Sequence, residues 1–82
     1  MFELKYSEQS LKKLEKFEKP IKERIIRALE RIRIRPISHV KKLVSSPYFR
    51  LRVGDYRVIL DIKNDELIIM VIEVGHRRNV YK

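Results

Sequence analysis

The 82 residues predict an α+β fold: an N-terminal strand, a helical hairpin against one face, then a mostly antiparallel sheet of about four strands. Three observations carry that expectation. Apolar residues recur at helical spacing between residues 8 and 32, and at strand spacing after residue 48. Gly54-Asp55 separates two runs rich in Val, Tyr and Phe, the pattern of a two-residue hairpin turn. A chain of this length makes one domain, residues 1–82, with a single modest core.

Residues 1–6 alternate, with Phe2, Leu4 and Tyr6 on one side, as in a short strand. Ser7 has the chemistry of an N-cap, and Glu8 falls in the first turn, where the helix dipole favours an anion. Leu11, Leu14 and Phe17 then predict a short amphipathic helix with a lysine-rich outer face. Pro20 suits the first turn of a second helix, because its missing N–H would have no partner there. The stripe of Ile21, Ile25, Ala28, Leu29 and Ile32 gives that helix its buried face, and Pro36 stops it. Residues 34–47 read as connection, with a turn of helix expected over residues 40–44. Three strands follow, at residues 48–53, 56–62 and 66–74, with Lys63-Asn64-Asp65 closing the second hairpin. The last is apolar on both faces, which predicts a central strand covered on both sides, and Gly75 is expected to end it.

The turn fixes a register in which Val53 faces Tyr56, Arg52 faces Arg57 and Leu51 faces Val58. Strand alternation then puts Phe49, Leu51 and Val53 toward the helices and Arg50 and Arg52 on the open side, where Arg57 joins them. Like charges opposite one another cost roughly 0.2 to 1 kcal/mol, so three converging arginines need a reason. Net charge supplies one. The chain carries 20 Lys and Arg against 11 Asp and Glu, a formal +9, which suits a polyanionic partner. A thermophile-type surface would explain many charges but not the stretch 31–54, which holds seven basic residues, Lys41 and Lys42 among them, and no acid. Guanidinium forks bind phosphate oxygens bidentately, and their permanent charge stabilises negative charge developing in a transition state.

Other chemistries are set aside. There is no cysteine, so disulfides and thiolate catalysis are excluded and a reducing cytoplasm is the expected compartment. The N-terminus lacks an apolar signal core, and the longest apolar run is far too short for a membrane span. With only Gly54 and Gly75, no glycine-rich nucleotide loop can form. His39 and His76 give no zinc spacing, so no metal or other cofactor is expected, and Ser45 and Ser46 lie in no nucleophile elbow. The tail adds His76, Arg77, Arg78 and Tyr81; Tyr81 could pack as a strand-end aromatic, stack on a base or donate its phenol proton.

The run YFRLRVGDYRVIL, followed about twenty positions later by VIEVGHRRNVY, resembles the RelE family of toxin–antitoxin toxins, within the RelE/ParE superfamily. The likeness spans nearly the whole chain and implies a RelE-like fold. It implies ribosome-dependent cleavage of mRNA in the ribosomal A site, by attack of the ribose 2′-hydroxyl on the adjacent phosphate, which inhibits translation. Carried over by residue, Arg50, Arg57, Arg77 and Tyr81 would be catalytic: Arg50 and Arg57 on the phosphate, Arg77 at the leaving 5′-oxygen, Tyr81 positioning the nucleophile or stacking on a base. Arg52, His76, Arg78, Lys41 and Lys42 would contact RNA. Some family members have lysines where this chain has Arg50 and Arg52, and arginine does not readily serve as a base. His76, Tyr81 or a ribosomal group would then accept the 2′-hydroxyl proton. The resemblance also implies a RelB-like antitoxin, through which alone operator DNA would be bound. The alternative is a ParE-like gyrase inhibitor or non-catalytic nucleic-acid-binding module, which needs only the basic face.

Overall fold

The computed structural model of the protein describes residues 1–76. Strand β1 (Glu3–Tyr6) leads into helices α1 (Glu8–Glu15) and α2 (Lys19–Arg31). A 3₁₀ turn (Pro36–His39) follows, then β2 (Lys41–Lys42), β3 (Phe49–Val53), β4 (Tyr56–Lys63) and β5 (Ile68–His76). The five strands form one sheet in the order β1-β5-β4-β3-β2, with β1 parallel to β5 and every other pairing antiparallel. No helix among the described residues is long and apolar enough to cross a membrane.

Both helices pack on one face of the sheet. Leu14 from α1 and Ile25, Leu29 and Ile32 at and just beyond α2 meet Leu51, Val53, Val58, Leu60, Ile62, Ile69, Val71 and Val74 from the strands. The α2 stripe behaves as its spacing dictates. In α1 the buried pair is Ser10 and Leu14, four apart, whereas Leu11 is 47% exposed. A polar residue occupies the core position because its hydroxyl is satisfied locally, donating to the Ser7 carbonyl at 2.8 Å.

Ser7 does more than cap α1. Its Oγ accepts from the Ser10 N–H at 3.1 Å and donates to the Ile72 carbonyl at 2.9 Å, and its N–H donates to the Val71 carbonyl at 2.9 Å. The helix start is thereby tied to β5 at the place where the strand is irregular. Val58 pairs with Val74 and Ile59 with Glu73, but Leu60 pairs with Val71, so Ile72 is an extra residue, a β-bulge. The bulge reverses the in-out phase of β5. Ile69 and Val71 point to the core before it, Val74 after it.

Four sequence-based expectations need correction. Residues 40–44 form no helical turn; the helical turn lies earlier, at Pro36–His39, and Lys41–Lys42 makes a fifth, edge strand on β3. The last strand starts at Ile68, not residue 66, because Leu67 takes a left-handed conformation (φ 55°) to close the turn. β5 is an interior strand as expected, lying between β1 and β4, but it is not covered on both sides: its outer side chains Ile68, Met70 and Ile72 stay half-buried, with no layer of helix over them. Finally, Gly75 does not end the strand, which pairs on through His76.

Both the cap and the half-buried phenol of β1 can be tested by unfolding. Ser7→Ala removes a cap and orphans the Ile72 carbonyl, and is expected to cost about 1–2 kcal/mol, a fall in Tm of roughly 4–8 °C per kcal/mol in thermal unfolding. Tyr6, packed against the core, has its phenol pushed above the ordinary value by burial and secondarily by the Glu30 carboxylate. The folded protein therefore holds that proton more tightly than the unfolded chain does. Its contribution is complete below about pH 10 and lost as pH rises further, so Tyr6→Phe should flatten the alkaline fall in stability measured by denaturant titration.

Candidate functional site: a cationic sheet face

The β3–β4 hairpin has the register its sequence dictates: Val53 opposite Tyr56, Arg52 opposite Arg57, Leu51 opposite Val58. Gly54 supplies the positive φ (59°) that the turn requires. Directly opposed residues share a face, so Arg52, Arg57 and Gly75 form one row across β3, β4 and β5 on the side away from the helices. Lys41, Arg50, Ile59 and Glu73 form the next row, across β2 to β5. Ile59 is only 4% exposed yet stands outside the main core cluster, as expected for an apolar floor on this second face.

Arg57 is the centre of the arrangement. Its Nε is buried and has no hydrogen-bond partner among the described residues. Such an orphan normally costs about 1–3 kcal/mol, more for a charged group, and native structures keep few of them without cause. Gly75, opposite Arg57, carries no side chain that could supply an acceptor. Arg57 and Arg50 line an open cleft of about 270 Å³ with Lys41, Lys42, Leu43 and Val44. Arg50 and Arg52 line a second, of about 290 Å³, with Lys41 and the 3₁₀ segment that contains His39. None of Arg50, Arg52, Arg57 and Lys41 is in an ion pair among the described residues; the pairs present are Lys19–Glu23, Arg33–Glu30 and Lys63–Asp61.

Two candidates stand differently from the rest. Lys42 lines the first cleft, but it is the register partner of Phe49 and its ammonium lies 5.8 Å from the centre of that ring, a cation–π contact. His76 is not with the arginines. It opposes Tyr56 on the helix side, its ring edge-on to Tyr56 at 5.6 Å, while Tyr56 also contacts Phe17 at 5.2 Å. Arg77, Arg78 and Tyr81 lie outside the described residues.

Glu73 carries no signal of its own in the sequence, yet it is the one acid in the two arginine-bearing rows, two positions from Arg50 across the sheet. Strict alternation without the bulge would have put Glu73 on the helix side with Ile69 and Val71. The described residues contain no cluster of three or more His, Asp or Glu side chains placed to hold a metal ion.

The family model for the ParE toxin of type II toxin–antitoxin systems matches residues 4–81, and the chain belongs to that family. Among solved structures it resembles the RelBE2 toxin–antitoxin complex of Mycobacterium tuberculosis, with TM-score 0.86, 20% identity and coverage of 93% of this chain and 98% of that one. The archaeal RelE–RelB complex of Pyrococcus horikoshii OT3 is similar at TM-score 0.82 and 23% identity, covering 96% and 98%. The intact RelBE complex of E. coli is similar at TM-score 0.78 and 23% identity, covering 93% and 96%. The sequence has no match among curated proteins. The chain is thus a type II toxin of the RelE/ParE superfamily.

The opposition of Arg52 and Arg57 makes a stability prediction. Arg52→Thr, which keeps a strand-favouring residue and removes the repulsion, should stabilise the fold by roughly 0.2–1 kcal/mol in low-salt urea unfolding. The gain should shrink at high salt, where the charges are screened.

Proposed function

We propose that this toxin is an endoribonuclease that cleaves mRNA in the ribosomal A site and so inhibits translation. The observation that carries the proposal is the buried, unpartnered Arg57 Nε within a face of unpaired cations. A phosphodiester oxygen is the acceptor that such a group fits.

In the proposed step the 2′-oxygen forms a bond to phosphorus as the bond to the 5′-oxygen breaks, leaving a cyclic phosphate and a 5′-hydroxyl. Arg57 and Arg50 hold the non-bridging oxygens and stabilise the charge that builds on them. Arg52, Lys41, Lys42 and Arg78 bind flanking phosphates. Arg77 stabilises the leaving 5′-oxygen, which takes its proton from solvent, and Tyr81 stacks on a base. The 2′-hydroxyl proton passes to Glu73, an acid on the arginine side, whereas His76 is separated from that side by the sheet. No metal or other cofactor takes part. The partner is an acidic RelB-like antitoxin that covers the cationic face; the similar solved proteins are complexes of RelE with RelB. Operator DNA is bound only through that complex, and the toxin acts in the cytoplasm.

A second function is favoured by one finding, the description of the matching family as ParE toxins. A gyrase inhibitor needs a basic surface but no orphaned guanidinium and no acid beside it.

Primer extension on an mRNA translated in a purified system is expected to show new 5′ ends with the wild-type chain. Arg57→Ala should reduce them about a hundredfold or more, and Glu73→Gln by about 10². Intact mRNA together with inhibited DNA supercoiling would replace this function by the second. Undiminished cutting by Arg57→Ala would remove the role given to the arginine.

A further inference from the structure

A second cationic site lies around the sheet edge from the first. Arg24, Arg27 and Arg31 are spaced three and four apart, which puts them on one side of α2. With Arg52 and Gly54 of the hairpin they line an open cleft of about 260 Å³. A Cβ on Gly54 would stand 2.8 Å from the Arg24 Nη2, so the Arg24 guanidinium rests against the bare backbone of the turn. Any side chain at position 54 would push that guanidinium away, apart from the strain of φ 59°.

Four guanidinium groups share this cleft, and none is in an ion pair among the described residues. The acids of α2 are committed elsewhere, Glu23 to Lys19 at 4.0 Å and Glu30 to Arg33 at 2.7 Å. From these observations we infer that the α2–hairpin cleft is a second phosphate site, gripping the RNA backbone at a distance from the scissile bond.

Arg52 is the link. It lines this cleft and also the one shared by Arg50 and Lys41, so a cationic track runs from the open sheet face, past the part of β3 that β2 leaves unpaired, to α2. An acidic polypeptide fits less well. Partner helices are held by apolar anchors in grooves, and here only Ala28 and Val53 offer apolar atoms between the four cations. A nucleic-acid backbone needs only the charges and the planar donors. The cleft touches none of the groups assigned to bond cleavage, so it stands or falls separately from the nuclease chemistry.

The test is binding of a fluorescent, fully 2′-O-methylated single-stranded RNA 12-mer, which has no 2′-hydroxyl and cannot be cut. Anisotropy titrations over a series of salt concentrations are compared for wild type, Arg24→Gln/Arg27→Gln/Arg31→Gln and the corresponding triple Lys variant. Each phosphate left without its cation should reduce the slope of log K against log salt by about 0.7, hence by about 2 for the triple Gln variant, with at least tenfold weaker binding. The Lys variant should keep most of the slope, since the charge remains. Should the triple Gln variant fail to fold by circular dichroism, Arg27→Gln and Arg31→Gln singly should each lower the slope by about 0.7. Unchanged affinity and slope in the folded Gln variants overturns the inference. So does a loss of binding to poly-glutamate with RNA binding intact, which would make the cleft a site for acidic protein.

Discussion

The register of the β3–β4 hairpin is the constraint on which the site depends. Val58, Leu60 and Ile62 are each buried against the helices, and a slip of one residue would turn all three to the other face. Burying such side chains is worth roughly 1.5–3 kcal/mol apiece, whereas opposed like charges cost roughly 0.2–1 kcal/mol. The core therefore wins. Arg52 and Arg57 are held opposite one another because the hydrophobic face leaves them no other register.

The bulge at Ile72 is the second constraint, and it distributes the chemistry of β5 between the two sides. It brings Glu73 and Gly75 to the arginines and sends His76 toward Tyr56 and the helices. An acid beside cations and a bare backbone opposite Arg57 are both consequences of one inserted residue. Ser7 fastens α1 to that residue's carbonyl, so the helix cap and the open face are mechanically joined although they lie on different sides of the sheet.

Much of this is legible from residue order. The α2 stripe, the Ser7 cap, the turn at Gly54 and the arginine register all follow from local rules with strong signals, and the structure has each of them. Lys41–Lys42 is not legible as a strand, because two lysines at an edge have no apolar alternation and pair only since β3 offers them an unpaired side. Leu11 reads as core and Ser10 does not; hydropathy cannot see that the Ser10 hydroxyl finds the Ser7 carbonyl. Glu73 is hidden by the bulge, since a pattern of period two carries no mark of where an extra residue enters. The arginines of α2 read as an ordinary solvated helix face until the turn at Gly54 is placed beside them. Arg77, Arg78 and Tyr81 fall outside the described residues.

The proposed function requires the Arg57 guanidinium, whose Nε is buried and without a hydrogen-bond partner among the described residues, to receive a phosphodiester. The most direct measurement is the Nε–H nuclear magnetic resonance signal of Arg57 during titration with an uncleavable 2′-O-methyl RNA trinucleotide. A saturable shift with slowed solvent exchange, absent in the same titration with an uncharged methylphosphonate analogue, is the expected result. An Arg57 signal that stays fixed while signals elsewhere on the protein report saturated binding would contradict the account.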